Sequence, residues 1–361
     1  LDFGSIVEQV AIGILDGVVD IGVEAVEQFV AVADAVAVGI GVGRIGTAGG
    51  FFFVVLLVMS FVIYGLIGLM PGDPIDLMIS ADPKMTSEDA AQLRELYGLD
   101  RPFLERYFNW LGAALSGDLG YSRLRAAPVL NVLGPALANT VVLMSCAFVL
   151  AVLIALVAGI VAALRPYSKL DYAINLLAFA GISTPPFWLA LLLIIVFAVM
   201  FGVLPAGGTG VTGGQGFWDS AQYLVLPVAS LTIASVGGYT RYVRAAMIET
   251  LRQDYIRTAW AKGLSAYDVV VGHGLRNAMI PVVTIMALDF GFLFSGALIT
   301  ETIFAYPGMG KLIFDSIMGN DFNLALVALL FATLVTLIGN LLADLAYVAL
   351  DRRISFREME R

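Results

Sequence analysis

Long apolar runs separated by polar segments are the dominant pattern along this chain. A membrane-spanning helix needs about 20 apolar residues to cross a hydrocarbon core of about 30 Å. Lipid offers the backbone no hydrogen-bond partners, so such runs must be helices, which satisfy their own backbone groups, rather than strands. The pattern predicts an all-α polytopic membrane protein with six transmembrane helices, over residues 51–70, 137–164, 174–203, 223–239, 279–300 and 324–350.

The third apolar run is interrupted by Pro185 and Pro186. Proline lacks the backbone N–H and its ring clashes with the preceding turn, which excludes a straight, regular helix at this point. Both a fixed kink that shapes packing and a gating hinge fit the two prolines.

The polar segments between the spans define the domain organisation. Residues 71–136 contain a helical pattern that ends at Gly98 and a second amphipathic pattern over 102–115, which together predict a helical domain outside the membrane. The longest connection on the opposite side is the loop 241–278. The predicted parts are an N-terminal extension (1–50), the first span (51–70), an extracytoplasmic helical domain (71–136) and a membrane core with its cytoplasmic loop (137–355).

The distribution of basic residues sets the orientation. If successive loops lie on alternate sides of the membrane from residue 50 onward, most of the 20 lysine and arginine residues fall on the same side as the N-terminus. Because basic loops stay on the cytoplasmic side, we expect a multi-pass protein of the plasma membrane with both termini in the cytoplasm.

The N-terminal extension carries acidic residues at helical spacing, which predicts an amphipathic helix with an acidic stripe. Central carboxylates make it a poor spanning helix, and anionic headgroups would repel it from a lipid surface. It therefore either packs on a partner or the flank of the core, or has no role in the main function. The acidic residues are Asp16, Asp20, Glu24, Glu27 and Asp34.

Composition narrows the functional classes. The chain is 60% hydrophobic and 14% charged, with a mean hydropathy of +0.91, so it needs the lipid bilayer as a partner. Its net charge of −9 argues against nucleic acid, which requires a basic face. One cysteine, Cys146, and one histidine, His273, exclude an internal disulfide and leave little for a metal site or a nucleophilic enzyme.

The loop after the fourth span is the most informative segment. A basic amphipathic helix runs from about residue 254 to Lys262, Gly263 makes a turn, and a second helix begins near Ser265. A short rigid helix of this kind is suited to docking on a soluble motor and transmitting its movement to the spans. A basic loop that only sets membrane topology fits the same residues.

The same loop resembles the signature loop of ABC importer permeases. In that family three residues of the type Glu-Ala-Ala precede a glycine at a fixed interval, and the matching positions are Arg257, Thr258 and Ala259, followed by Gly263. The Arg-Thr-Ala form is similar to the branch that imports dipeptides, oligopeptides and nickel. Further motifs resemble this branch in the same order: MPGDP at 70–74, the outer segment at 97–122, ISTPPFW at 182–188, LRNAMIP at 275–281, ETIFAYPGMGKLIFDSI at 301–317 and NLLADLAYVALDRRI at 340–354.

The resemblance implies a type I importer permease (MetI-like) fold with an extracytoplasmic helical insertion. It also implies a second homologous permease subunit, two cytoplasmic ATPase subunits and an extracytoplasmic substrate-binding protein. Arg257, Thr258, Ala259, Lys262 and Gly263 would form the ATPase-coupling loop. The chain contains no GxxxxGK[ST] phosphate loop, so ATP and Mg²⁺ are expected in the partner subunits and no cofactor or enzymatic activity is expected here.

The candidates for the translocation path are polar or helix-breaking residues in or beside the spans: Asp289, Glu301, Pro185 and Pro186. A carboxylate within a span is costly and must face the bundle interior or water, so Asp289 either lines the path or pairs with a neighbouring helix. Glu301, beyond the fifth span, is either a gate or binding-protein contact or a solvated loop charge.

Two functional alternatives remain at this point. The first is a self-sufficient secondary carrier or channel, which would need inverted repeats with broken helices. The second is an ABC permease for nickel or a sugar rather than a peptide.

Overall fold

The computed structural model describes residues 46–69, 101–209 and 217–350. The acidic stripe of the N-terminal extension, the helix expected to end at Gly98 and residues 351–361 lie outside the described residues. The chain divides into two units, Leu1–Ser60 and Phe61–Arg361, and the contacts presented below all lie within the second.

The described residues are almost entirely helical, which confirms the predicted fold class. The helices are α1 (Gly46–Gly68), α2 (Phe103–Leu115), α3 (Val129–Leu164), α4 (Lys169–Ser183), α5 (Pro186–Leu193), α6 (Phe217–Leu251), α7 (Asp254–Ala261), α8 (Arg276–Ile303), α9 (Met309–Met318) and α10 (Phe322–Leu350). Two π-helical segments, π1 (Ile194–Met200) and π2 (Asp268–Leu275), follow α5 and precede α8. Two short antiparallel strands, β1 (Tyr121–Ser122) and β2 (Ala127–Pro128), lie between α2 and α3.

Each of the six predicted spans is occupied by helix. Among the described residues, α3, α6 and the segment Phe322–Gly339 of α10 are each long and apolar enough to cross a membrane. The pair formed by α4 and α5 with π1 could make a fourth crossing. Helices α1 and α8 occupy the first and fifth predicted spans, so the helix positions are consistent with six crossings.

The third predicted span is sharply bent. The axes of Lys169–Ser183 and Pro186–Met200 meet at 101°. The break lies at Thr184 and Pro185, whose backbones are extended (ψ of 122° and 132°), and Pro186 is the first residue of α5. The two prolines therefore end one helix and begin the next, because a ring without an N–H is tolerated only in a helix's first turn.

The fifth span belongs to a longer helix than its apolar run indicates. Residues 266–303 are helical without interruption, first through π2 and then through α8. The second helix of the polar loop and the fifth span are thus one continuous element. A π-helical segment absorbs extra backbone without breaking the helix and often marks a functional region.

Small residues allow α3 and α6 to pack closely. Ala151 and Ala155 of α3 have no exposed surface and belong to a cluster with Val243 of α6. A side chain at Gly159 would lie 2.7 Å from the Val243 side chain and 3.0 Å from the Thr240 carbonyl. Close backbone approach through alanine and glycine is the usual means of helix association where lipid removes the hydrophobic driving force.

Glycines also bring α4 and α6 together, at two successive points. A side chain at Gly181 of α4 would lie 2.9 Å from the carbonyl oxygen of Ile233, and one at Gly237 of α6 would overlap the carbonyl of Ala178. Because the residue numbers rise along α4 while they fall along α6, the two helices are antiparallel. The glycines thus set how closely the two helices approach.

An aromatic cluster joins the end of α1 to α2, confirming the amphipathic helix predicted over 102–115. Phe61 packs edge-on against Phe103 and Tyr107, with ring centroids 5.5 and 5.1 Å apart. Tyr64 contacts Phe322 at the start of α10 in the same geometry, at 5.5 Å. Such pairs add specific geometry to the burial of large apolar surfaces.

A buried carboxylate attaches the β1–β2 hairpin to the start of α10. Asp321 is 2% exposed and accepts hydrogen bonds from Ser122 Oγ at 2.6 Å and from the Leu124 N–H at 3.0 Å. It also accepts from the Leu324 N–H, in the first turn of α10, at 3.3 Å. One side chain therefore caps a helix and anchors a hairpin almost 200 residues earlier in the chain.

We expect Gly237→Ala to lower the melting temperature of the detergent-solubilised protein, because the new methyl group would overlap the Ala178 carbonyl. Overpacking of this kind costs about 1–3 kcal/mol. Gly238→Ala is the matched control, since a side chain there would meet nothing within 4 Å. Equal melting temperatures for the two variants would contradict the close α4–α6 contact.

Candidate functional site

The loop between α6 and α8 presents a short amphipathic helix. Helix α7 buries Ile256 and Ala259 (2% and 5% exposed) in a small cluster with Val269 of π2 and Leu251 of α6. This helix ends one residue before the predicted boundary at Lys262. The apolar face of α7 thus holds it to the two helices that it connects.

The opposite face of α7 is open. The predicted coupling residues Arg257, Thr258 and Lys262 are exposed, and Tyr255 and Trp260 are 43% and 50% exposed. Exposed aromatic rings beside basic side chains are typical of the centre of a protein interface. Ala259, the remaining residue of the predicted triplet, faces inward and positions the helix.

Gly263 ends α7 in the way that the sequence predicts. Its φ of +77° is in the left-handed region, which glycine adopts without steric cost. The Gly263 N–H donates to the Trp260 carbonyl, and the Leu264 N–H donates to the Ala259 carbonyl. Ser265 then caps the next helix, accepting from the Asp268 N–H at 3.2 Å and donating to the Asp268 carboxylate at 2.6 Å.

A second polar site lies at the far end of α8, where Glu301 is completely buried. Its Oε2 accepts hydrogen bonds from the N–H groups of Gly310 and Lys311, at 2.7 and 3.1 Å. Its Oε1 accepts a hydrogen bond from the Thr140 hydroxyl at 2.6 Å. The Thr140 Oγ1 in turn accepts the Met309 N–H at 2.7 Å. Glu301 and Thr140 thus satisfy three backbone donors in the first turn of α9, where a negative charge is favourable.

The glycines of the YPGMG sequence make room for this network. A side chain at Gly308 would overlap the Glu301 carboxylate, and one at Gly310 would overlap the backbone of Leu298. Nearby, the Asn139 side-chain amide donates to the Pro307 carbonyl at 3.0 Å. The motif therefore builds a compact turn between α8 and α9 that is fastened to α3.

Tyr306 fastens the same turn from the other direction. Burial raises the pKa of Tyr306 to about 12, and the charge of Glu301 adds to the rise. The phenol therefore keeps its proton and donates to the Asn139 carbonyl at 3.2 Å.

These contacts correct the interpretation of Glu301 as a solvated loop charge. It is not a solvated loop charge, because none of its surface is exposed. Its assignment to a translocation path stays a prediction; here its carboxylate oxygens bind groups of α3 and α9. Its role here is to hold the α8–α9 turn together.

The other path candidates occupy separate places. Pro185 and Pro186 are exposed at the bend between α4 and α5. Asp289 lies within α8, but its side chain is outside the described part of the structure. Their assignment to a path stays a prediction.

An ion pair that the sequence did not single out lies near the α7 end of the bundle. Arg244 of α6 binds Asp171 of α4 through two hydrogen bonds, Nε to Oδ1 at 2.7 Å and Nη2 to Oδ2 at 2.6 Å. The Ser168-x-x-Asp171 spacing is a recognisable helix cap, and the Asp171 N–H does donate to Ser168 Oγ. Arg244 lies 73 residues from Asp171 in the chain, so no local sequence pattern indicates that the two residues pair.

Comparisons with known proteins agree with this arrangement. A profile of the family described as "Binding-protein-dependent transport system inner membrane component" matches residues 155–356. The oligopeptide transport system permease protein AppB of Bacillus subtilis is 39% identical over 303 residues, covering 83% of this chain and 94% of AppB. A putative peptide permease protein of Brucella suis is 40% identical over 302 residues, covering 83% of this chain and 94% of that protein. The glutathione transport system permease protein GsiC of Escherichia coli K12 is 35% identical over 302 residues, covering 84% and 95%.

One solved structure supports the fold independently. A chain of the MetNI methionine ABC transporter, in inward-facing conformations, aligns with a TM-score of 0.52 and 16% identity. The alignment covers 62% of this chain and 98% of that chain. At this level of identity the likeness concerns the fold alone, and it confirms the predicted MetI-like class.

We expect Glu301→Ala to destabilise the protein by about 3 kcal/mol or more, because it leaves the Gly310 and Lys311 N–H groups and the Thr140 hydroxyl without their acceptor. The melting temperature of the purified protein and protease sensitivity of the α8–α9 turn measure this. Glu105→Ala is the control, since Glu105 is half exposed and, among the described residues, pairs only with Arg101 at 2.9 Å, a contact worth less than about 1 kcal/mol. Similar melting temperatures for the two variants would show that Glu301 does not hold the turn.

Proposed function

This chain belongs to the family of inner membrane components of binding-protein-dependent transport systems, and we propose that it is one of two permease subunits of an ATP-driven peptide importer. The observation that carries the proposal is the open basic and aromatic face of α7, displayed at the end of an apolar helix bundle. A bundle with such a docking element is suited to receive movement from a separate motor. ATP hydrolysis belongs to other subunits, because the family comprises the membrane permease components.

The relatives support peptides as the substrate class. AppB is named for oligopeptides, GsiC for glutathione, and the Brucella protein for peptides. Each is similar over more than four fifths of this chain, so the likeness extends well beyond the loop. Peptide import is therefore favoured over nickel or sugar import.

The coupling role of α7 rests on a division between its two faces. Arg257, Thr258 and Lys262 would contact a groove of the ATPase, while Ala259 and the turn at Gly263 hold the helix at a fixed angle. The exposed ion pair between Arg257 and Asp254, at 3.5 Å with both side chains more than three quarters exposed, contributes little. Both groups are therefore free to rearrange on docking.

We infer the membrane orientation from the basic residues. With α7 in the cytoplasm, both chain termini are cytoplasmic, and the hairpin and α9 lie on the outer side. That side would face the substrate-binding protein. A second, homologous permease would complete the path, to which Asp289 and the bend at Pro185 and Pro186 are the candidate contributions from this chain.

The broadest test is purification of the complex from its native membrane. A tag on this chain should bring down two ATPase subunits and a sister permease, because a permease half cannot transport alone. The purified chain by itself should give no solute uptake in proteoliposomes. Uptake by the isolated chain would instead establish a self-sufficient carrier.

We expect the double charge reversal of Arg257 and Lys262 to glutamate to reduce ATP-dependent uptake by about 10-fold or more. Both side chains are exposed, so the reversal would repel the ATPase without disturbing the fold. Uptake, ATPase co-purification and the amount of protein in the membrane are measured together. Arg165→Glu, which reverses an exposed charge in the turn between α3 and α4, serves as the control. Normal uptake with normal ATPase association in the double variant would disprove the docking role.

A further inference from the structure

The Asp171–Arg244 pair is a largely buried, bidentate ion pair. Asp171 is 2% exposed and the side chain of Arg244 is 22% exposed. The guanidinium fork meets the carboxylate through two parallel hydrogen bonds of 2.6–2.7 Å. A bidentate pair fixes orientation as well as distance, which a single ammonium–carboxylate contact does not.

Asp171 binds two further groups with the same two oxygens. Asn175 Nδ2 donates to Oδ1 at 2.7 Å, and the Tyr167 N–H donates to Oδ2 at 2.8 Å. Tyr167 has a φ of +64°, a left-handed conformation that is costly for a residue with a side chain and persists only where surrounding contacts hold it. Asp171 therefore joins three elements: the α3–α4 turn, the first turn of α4, and α6.

The pair lies beyond two close backbone contacts between α4 and α6. Gly181 lies against Ile233, Ala178 lies against Gly237, and Asp171 binds Arg244. The first two contacts set how closely the helices approach. The ion pair is directional, so it prevents the helices from sliding along each other at the end nearest α7.

That end of α6 is tightly connected to the coupling helix. Only two residues separate Leu251, the last of α6, from Asp254, the first of α7. They form a turn in which the Arg252 N–H donates to the Glu249 carbonyl at 3.3 Å. Leu251 also packs into the cluster that holds α7. Displacement of α7 must therefore displace the end of α6.

We propose that Asp171 and Arg244 are positioning residues that make α4 move together with α6, so that a displacement of α7 reaches the bend at Pro185 and Pro186. This inference rests on the proposed function. Stability alone is a weak explanation of the pair, because burying two charges costs nearly as much as their attraction returns. What a buried bidentate pair supplies is a single allowed register.

The test uses the complete complex in proteoliposomes with its ATPases and peptide-loaded binding protein. The variants are Asp171→Asn, Arg244→Ala and Arg244→Lys, and the readout is the amount of peptide imported per ATP hydrolysed. We expect Asp171→Asn and Arg244→Ala to lower this ratio by about 10-fold, with the ATPases still bound and still hydrolysing ATP. Arg244→Lys keeps the charge but loses the fork, so we expect an intermediate loss.

Arg241→Ala is the matched control. Arg241 lies one turn before Arg244 on α6 and also contacts α4, over the Phe179 ring at 5.2 Å, but it does not bind Asp171. Its removal should leave the ratio unchanged. An equal loss in this variant would attribute the effect to general loosening of α4 and α6 and would overturn the inference.

The inference also fails if transport and ATP hydrolysis fall together, in proportion to the amount of assembled complex. If Arg244→Ala cannot be purified, Arg244→Lys tests the positioning role in its place, because this variant leaves no unpaired buried charge. An unchanged ratio of imported peptide to hydrolysed ATP in Arg244→Lys refutes the positioning role. Failure of the proposed function can be told apart from failure of this inference, because the unaltered complex would then show no ATP-dependent peptide import.

Discussion

The structure depends on one constraint: a carboxylate removed from water within an apolar helix bundle must find all of its donors inside the protein. Three carboxylates in the described residues meet this requirement. Glu301 binds the first turn of α9, Asp321 binds the hairpin and the start of α10, and Asp171 binds α6 and the α3–α4 turn. Each satisfies its oxygens by joining segments that are distant in sequence, so the polar groups specify where apolar helices, which pack in many ways, must meet.

The three sites divide between the two ends of the bundle. Glu301 and Asp321 fasten the end that bears α9 and the hairpin, while Asp171 lies at the end that bears α7. Between them the helices meet through alanine and glycine, which allow close approach but give little directional preference. Within the described helices, two ends held by directional hydrogen bonds are thus joined by less directional contacts.

Apolar runs and local signals predicted much of this fold. Hydropathy gave the positions of the helices because lipid imposes their length, and Gly263 gave the end of α7 because only glycine adopts its backbone angle freely. The 101° bend was indicated by Pro185 and Pro186, but its size depends on packing against α6. Glu301 was misread because a glutamate beside a predicted loop gives no indication that Thr140 and the backbone of α9 enclose it. The Asp171–Arg244 pair was missed for the same reason, since its members are 73 residues apart.

The unbroken helix from residue 266 to Ile303 has a mechanical consequence. At about 1.5 Å per residue its 38 residues form a rod of roughly 55 Å, longer than the hydrocarbon layer is thick. Because Glu301 ties the far end of this helix to α9, a displacement of the segment beside α7 has a continuous helical connection to α9.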